Sequence, residues 1–235
     1  MEAEGTPFGA SAEAGDWADG FEDRRHGGRV LASHLRRLRG HPDAIVLGLP
    51  RGGVVVAAEV ASELGLPLDV CVVRKLGVPG HEELAFGAIA SGGVEVRNPD
   101  VMAYLEGEEP RLQAVVEHER AELSRRERAY RGGRPEPELA GRTVILVDDG
   151  LATGATMRAA VSALRQRGPA RVVVAVPVGS VEACAELDAL ADEVVCVAMP
   201  RDFGGVGAWY HDFRQTTDDE VRELLAQEGR APRRL

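Results

Sequence analysis

Residues 143–156 read TVILVDDGLATGAT, and this stretch decides the fold. Its apolar part, residues 144–147, is short, continuous and rich in branched side chains, which predicts a strand buried on both faces of a parallel sheet. Two acids, a turn of small residues and a helical pattern that begins near Met157 follow it. Strands predicted at 171–177 and 193–197, each after a helical pattern, indicate an α/β protein with a mainly parallel sheet.

The turn after this strand has the features of an anion-binding site. Unpaired backbone N–H groups at the turn and at the helix N-terminus converge on one place, where the helix dipole favours negative charge. Thr153 and Thr156 add hydroxyl donors. Asp148 and Asp149 need a neighbouring group with hydroxyls, as in a ribose 5-phosphate, or a metal ion; no cation lies near them in the sequence, so we expect them to repel each other. The alternative is an ordinary turn in which one polar residue caps the helix.

The order of these residues resembles the motif that binds 5-phosphoribosyl 1-pyrophosphate (PRPP) in type I phosphoribosyltransferases: strand, two acids, two residues, then x-T-G-x-T. The resemblance implies a doubly wound sheet of that family's kind with a C-terminal hood. It also implies that the acid pair contacts the ribose hydroxyls and that the turn holds the 5-phosphate. The PRPP-binding residues are then Asp148, Asp149, Gly150, Leu151, Ala152, Thr153, Gly154, Ala155 and Thr156.

A second anion loop is predicted after a strand at residues 44–49. Pro50, Arg51, Gly52 and Gly53 follow this strand directly, and the glycines allow backbone amides to approach a ligand. Taken alone, the loop is explained as well by a plain turn between a strand and a helix. The resemblance assigns the pyrophosphate of PRPP to Arg51, Gly52 and Gly53.

Two adjacent cations follow the next apolar run. Residues 68–73 predict a third strand, which ends at Arg74 and Lys75. The resemblance assigns both side chains to the pyrophosphate, and a solvated surface pair is the alternative. Beyond them, residues 83–96 predict a hairpin that turns at 91–93.

A long charged stretch separates this hairpin from the central motif. Residues 99–135 are predicted as a helical insertion between strands, with arginines concentrated near its end. One interpretation is a solvated helix with ion pairs four residues apart. The other, implied by the resemblance, is that the flanks of the insertion form a mobile cover over the site.

Aromatic residues cluster near the C-terminus. Four of them lie within residues 200–214, although Phe, Trp and Tyr make up only 4% of the chain. Rings among glycines suit stacking on a planar ligand. By the resemblance this segment is the hood, in which Phe203, Val206 and Trp209 border the base. The alternative is an apolar plug that fixes the last helix, predicted at 218–227, to the core.

Composition limits the remaining possibilities. The chain has 235 residues, 44% hydrophobic and 28% charged, as in a soluble globular protein. We expect a flexible tail at residues 1–20 and one domain at 21–235. No apolar run reaches the roughly 20 residues that span a bilayer, and no signal pattern opens the sequence, so we expect a cytoplasmic protein. The net charge of −10 argues against a nucleic-acid surface, although arginine clusters at 29–39 and 125–134 keep that possibility open. The thiols of Cys71, Cys184 and Cys196 are expected to be free and buried.

The resemblance implies an enzyme of nucleotide metabolism, a glycosyltransferase that moves phosphoribosyl from PRPP to a nitrogen nucleophile such as a base, releasing pyrophosphate. Mg²⁺ would enter with PRPP, and the catalytic candidates are Asp148, Asp149 and Lys75. Ala152 stands where the hypoxanthine and guanine enzymes have an acid, which argues against a 6-oxopurine substrate. Two alternatives stay open: a regulator that senses PRPP or a nucleotide without turnover, and a partner-binding module. A homodimer and the identity of the base also stay open.

Overall fold

The computed structural model describes residues 20–228. The tail predicted at residues 1–20 therefore lies outside the described residues, apart from Gly20. The strands of the described range are β1 (Ala44–Gly48), β2 (Leu68–Val70), β3 (Val73–Val78), β4 (His81–Ala90), β5 (Val94–Arg97), β6 (Thr143–Val147), β7 (Arg171–Val178) and β8 (Glu193–Ala198). Its α-helices are α1 (Arg24–His34), α2 (Gly52–Leu64), α3 (Pro99–Met102), α4 (Glu109–Arg131), α5 (Ala155–Arg165), α6 (Val181–Asp188) and α7 (Asp218–Glu228).

Five of these strands form a parallel main sheet in the order β2-β1-β6-β7-β8. The strand predicted at 144–147 is confirmed as β6, in the centre of this sheet. From β1 the chain continues to β2 on one side, whereas from β6 it continues to β7 on the other side. The direction of winding thus reverses between β1 and β6, and in open α/β sheets ligands bind in the crevice at such a reversal, beyond the carboxyl ends of the strands.

Alternate residues of the main sheet build two apolar cores. Val46 and Ile145 belong to one cluster, which includes buried residues of α1, α2 and α7. Leu47 and Leu146 point to the opposite face and pack with α5 and α6. This burial on both faces confirms the doubly wound arrangement. No helix within residues 20–228 is long and apolar enough to cross a membrane.

A smaller antiparallel sheet, in the order β3-β4-β5, packs between α4 and α5. The hairpin predicted at 83–96 is confirmed, because β4 and β5 flank a turn at 91–93. The strand predicted at 68–73 begins at the predicted residue, but its predicted end is wrong. β2 stops at Val70, and Arg74 and Lys75 lie inside β3 instead of at the edge of the main sheet.

The break between β2 and β3 is stabilised by partners that are distant in the sequence. The Cys71 N–H donates to the Gly48 carbonyl at 3.0 Å, and the Val72 N–H donates to Ser91 Oγ at 2.9 Å. An apolar run in one sequence does not reveal such partners, so the two strands looked continuous. Of the predicted buried thiols, Cys71 and Cys184 are buried and free, whereas Cys196 is free and partly buried.

The predicted insertion at 99–135 forms α3 and α4, and α4 packs against β3, β4 and α7. The solvated-helix interpretation holds for arginines such as Arg125, whose side chain is 62% exposed beside Glu122. It is wrong for Arg131, whose side chain is 6% exposed and donates to Asp69. The flank after α4 is also anchored, because the Arg167 guanidinium donates to Glu136 and to the Pro137 carbonyl.

Candidate active site

The acid pair meets the start of α2 at the crevice between β1 and β6. A Cβ at Gly52 would collide with Asp149 Oδ2, and a Cβ at Gly53 would lie 2.7 Å from Asp148 Oδ1. The two glycines therefore allow the N-terminus of α2, with its positive dipole end, to approach the carboxylates. Two loops that were predicted separately thus form one site.

Asp148 and Asp149 are partly buried and only partly balanced by positive charge. The Asp149 N–H donates to Asp148 Oδ1 at 2.8 Å. Burial, together with the charge of Asp149, raises the pKa of the Asp148 carboxyl well above its usual value. Burial also raises the pKa of Asp149, while the Arg24 guanidinium opposes that rise. A ligand that donates hydrogen bonds to the ionised pair would offset this cost of burial.

Arg24 supplies a cation that sequence patterns did not indicate. Its Nε donates to Asp149 Oδ2 at 2.7 Å, and the two side chains are 11% and 17% exposed. This cation lies 125 residues from Asp149 in the chain, so inspection of the neighbouring sequence could not find it. The expected repulsion between the acids persists, because, in addition to burial, the charge of Asp149 raises the pKa of Asp148. α1 begins at Arg24 and is capped by Asp23, which accepts from the His26 N–H at 2.7 Å. In the sequence, only the position of Arg24 at the start of α1 could have indicated a role at the site.

The predicted phosphate turn is fixed by contacts with the end of β7. The Leu151 N–H donates to the Val178 carbonyl at 2.9 Å, and Ser180 Oγ donates to the Ala152 carbonyl at 2.8 Å. Leu151 is only 2% exposed, so its side chain belongs to the core and only its backbone can face a ligand. These contacts hold the turn in one conformation before any ligand arrives.

The helix that follows this turn offers backbone donors. α5 begins at Ala155, two residues before the predicted start, and its N-cap residue is Gly154 with a φ of 67°. Glycine has no side chain that could accept from the N–H groups of the first turn. Thr153 and Thr156 are exposed on either side. The Ala155 N–H donates to Thr153 Oγ1 at 3.4 Å. The start of α5 and two exposed threonines thus lie together here, as an anion site requires.

Arg51 precedes α2 directly and lies beside the same crevice. The peptide bond between Pro50 and Arg51 is cis. The Arg51 side chain is 38% exposed, and its Nη1 lies 3.9 Å from Asp218 Oδ1 at the start of α7. This long contact leaves most of the guanidinium's donors available.

Arg74 and Lys75 lie on the antiparallel sheet, not at the carboxyl end of β2. The Arg74 Nε donates to Glu119 Oε2 on α4 at 2.6 Å. Lys75 is exposed and lines an open groove of about 490 Å³ together with His118 and Glu119. The contact of both cations with pyrophosphate stays a prediction.

Residues 200–214 contact the turn that follows the acids. A Cβ at Gly150 would lie 2.6 Å from Val206 Cγ1, so this glycine allows the hood to approach the acid loop. Trp209 Nε1 donates to the Phe203 carbonyl at 2.9 Å. The structure thus brings the three predicted base-binding residues together in one partly buried cluster beside the turn.

Tyr210 is buried between the hood and the segment before α1. It is 6% exposed, and its ring lies 5.2 Å from that of Phe213 and 5.6 Å from that of Phe21. Its hydroxyl donates to the Asp149 carbonyl at 2.6 Å. One hydrogen bond therefore ties the hood to the backbone of the acid pair.

Comparisons with known proteins agree with this geometry. A family model described as "Phosphoribosyl transferase domain" matches residues 22–213. The chain is 50% identical over 205 residues to "Putative phosphoribosyl transferase Rv0571c" of Mycobacterium tuberculosis H37Rv, and equally to "Putative phosphoribosyl transferase MT0597" of strain CDC 1551. Each match covers 87% of this chain and 46% of the relative, so the chain spans about half the length of these relatives.

A solved structure gives the same result over nearly its whole length. The protein TT1426 from Thermus thermophilus is 50% identical to this chain and superposes with a TM-score of 0.80. The match covers 88% of this chain and 98% of that one. With the family match over residues 22–213, it follows that this chain belongs to the phosphoribosyl transferase domain family.

Proposed function

We propose that this protein is a phosphoribosyltransferase that binds PRPP with Mg²⁺ and transfers its phosphoribosyl group to a nitrogen nucleophile, a nucleobase, releasing pyrophosphate. The observation that carries this proposal is the acid pair at the crevice between β1 and β6. Asp148 and Asp149 are partly buried at the reversal of the sheet, and α2 approaches them through two glycines that leave no room for a Cβ. Two adjacent carboxyl groups with a single paired arginine suit a ligand rich in hydroxyls.

Each part of PRPP has a counterpart around this pair. The ribose hydroxyls would donate to Asp148 and Asp149. The 5-phosphate would accept from the first-turn N–H groups of α5 and from Thr153 and Thr156. The pyrophosphate would face the start of α2 and Arg51, whose guanidinium is partly free.

These residues would stabilise charge as the bond to pyrophosphate breaks. Positive charge then develops on the ribose ring, close to the carboxylates of Asp148 and Asp149, and negative charge develops on the leaving pyrophosphate. Donors fixed beforehand at the start of α2 stabilise the leaving group without further rearrangement. The base would stack in the cluster of Phe203, Val206 and Trp209.

Mg²⁺ fits this site as a cation that the substrate carries. Within residues 20–228 no group of three or more His, Cys, Asp or Glu could hold a metal ion. The oxygens of the PRPP pyrophosphate are hard donors of the kind that Mg²⁺ prefers, and the metal would neutralise charge on the leaving group.

A second candidate is a protein that senses PRPP or a nucleotide without turnover. The observation that favours it is the Arg74–Glu119 ion pair, which holds one predicted pyrophosphate ligand on α4. Ala152, in place of an acid, argues against turnover of 6-oxopurines in particular. Binding without pyrophosphate release would favour this candidate.

The test combines binding with turnover. PRPP with Mg²⁺ should raise the melting temperature, because a ligand that binds only the folded state stabilises it by mass action. Pyrophosphate release should then be measured with a panel of nucleobases, using ribose 5-phosphate as the control that lacks the leaving group. The absence of any shift at millimolar PRPP would remove the first candidate and, of the second, the form that senses PRPP.

A further inference from the structure

Arg24 connects three parts of the molecule at the acid pair. Its Nε donates to Asp149 Oδ2 at 2.7 Å, and its Nη1 donates to the Arg214 carbonyl at 2.8 Å. Its Cζ also lies 3.8 Å from the centroid of the Phe213 ring. One guanidinium at the start of α1 therefore contacts the site acid and the end of the hood together.

The charges around Asp149 make this contact decisive for its ionisation. Asp148 precedes it in the same loop, the uncharged Tyr210 hydroxyl contacts its carbonyl from the hood, and Gly52 presents the positive end of α2. Arg24 is the full positive charge bonded to its carboxylate. Because burial raises the pKa of Asp149 and so favours its protonation, the guanidinium counteracts burial directly.

We infer that Arg24 is a positioning residue: it keeps Asp149 ionised and oriented toward the ribose, and it links that carboxylate to the hood. This inference rests on the proposed function. An ionised carboxylate has about four acceptor sites on its two oxygens, and Nε of Arg24 uses one of them. The remaining sites can accept from the ribose, so Arg24 and ribose bind Asp149 together without competing.

The link to the hood requires an arginine at position 24. A guanidinium is planar, so it can donate from Nε and Nη1 in different directions while its face stacks on an aromatic ring. Lysine would supply the charge but not the two directed hydrogen bonds together with the stacking. The two functions of Arg24 can therefore be separated by substitution.

Three variants test the inference. Arg24→Gln removes the charge, Arg24→Lys keeps the charge without the bridging geometry, and Arg25→Gln is the matched control. Arg25 is the next residue of α1, where it pairs with Glu59 and its side chain is 51% exposed. For each variant, Kd for PRPP with Mg²⁺ is measured by calorimetry across a pH series, together with the melting temperature.

We expect Arg24→Gln to weaken PRPP binding by about tenfold to a hundredfold near neutral pH, the effect of one hydrogen bond to an ionised group. The pH below which binding is lost should also move upward, because burial raises the pKa of both acids, Arg24 opposes that rise, and without it the pair protonates at higher pH. Arg24→Lys should keep that pH close to the wild-type value, with a smaller loss of affinity. Arg25→Gln should match the wild type in both.

A merely structural role for Arg24 gives a different pattern. The melting temperature would fall and affinity would drop equally at every pH, with no movement of the pH limit, and that result would overturn the inference. A second measurement needs no ligand: ¹³C NMR titration of the Asp149 carboxyl, assigned with Asp149→Asn, should shift to higher pH in Arg24→Gln. If the wild type does not bind PRPP, the proposed function itself is wrong. If the wild type binds PRPP but the pH below which binding is lost is the same in Arg24→Gln, only the role inferred for Arg24 is wrong.

Discussion

Two clusters of buried charge in this protein differ in how completely their charges are balanced. In the first, which joins α4 to β2, Arg131 donates to Asp69 and Glu127 at 3.1 Å and also to the Val70 carbonyl at 3.1 Å. In the second, at the end of β6, two acids share one arginine. The first cluster is complete without a ligand, and the second is not.

This difference indicates that the first cluster stabilises the fold and that the second is suited to binding a ligand. Every donor nitrogen of Arg131 has a protein acceptor. The first cluster therefore offers no free donor nitrogen of Arg131 to a substrate. When both acids are ionised, the pair carries excess negative charge in a partly buried place, which costs stability in the free protein. Unbalanced buried charge is tolerated where a ligand completes it, and perturbed pKa values accordingly concentrate at functional sites.

The largest expected effect comes from breaking the complete cluster. Arg131→Met leaves Asp69 buried without its cation, so the free energy of unfolding should fall by about 3–5 kcal/mol in denaturant titrations. The matched control is Arg125→Met on the same helix, which removes an exposed ion pair with Glu122 and should change stability little. A loss of equal size in both variants would contradict the distinction between the clusters.

A smaller effect, on function, is expected from the incomplete cluster. Asp148→Asn and Asp149→Asn should each reduce PRPP turnover by about tenfold to several hundredfold, because asparagine satisfies the ribose hydroxyls only in part and loses the charge. Both variants should stay folded, as judged by circular dichroism and melting. If each acid only ended a strand or capped a helix, asparagine would replace it at little cost, and turnover would stay at the wild-type level.

The cations offer a third test, with a smaller expected effect again. Arg51→Ala and Lys75→Ala should each weaken binding of PRPP by about tenfold and of ribose 5-phosphate much less, because both are assigned to pyrophosphate. Arg51 lies at the crevice, whereas Lys75 lies on the antiparallel sheet. Calorimetry with the two ligands measures this directly, and equal losses for both ligands would show the assignment to be wrong.

The smallest effect is a pH dependence of stability without ligand. The folded-state pKa of Asp148 is raised above its unfolded value, so the folded protein holds this proton more tightly than the unfolded chain. The contribution to stability is thus fully present below the unfolded pKa and is lost as pH rises through the folded pKa. Asp148→Asn should flatten this slope and raise the melting temperature near neutral pH. If stability depends on pH as steeply in Asp148→Asn as in the wild type, the pH dependence comes from other groups.

The sequence predicts the second cluster better than the first for a physical reason. The strand, acids and turn of 143–156 are contiguous, so their arrangement follows from local rules, and β6 and α5 begin within two residues of the predicted positions. Arg131 and Arg24 acquire their partners only through tertiary packing, across 62 and 125 residues. Helical patterns assign such arginines to solvent by default. The same limit explains Arg74, whose strand is defined by pairing with β4.

The exposure of Lys75 gives the protein a chemical handle, because it is the only lysine in the sequence. An amine-acylating reagent can therefore modify one side chain in the described structure, and a digest separates its peptide from the one that carries the α-amino group. Mass spectrometry of a proteolytic digest would then report the accessibility of one defined atom, Nζ, beside α4. Protection of this amine by pyrophosphate would measure how close the β3–β4 hairpin comes to the ligand without any substitution in the chain.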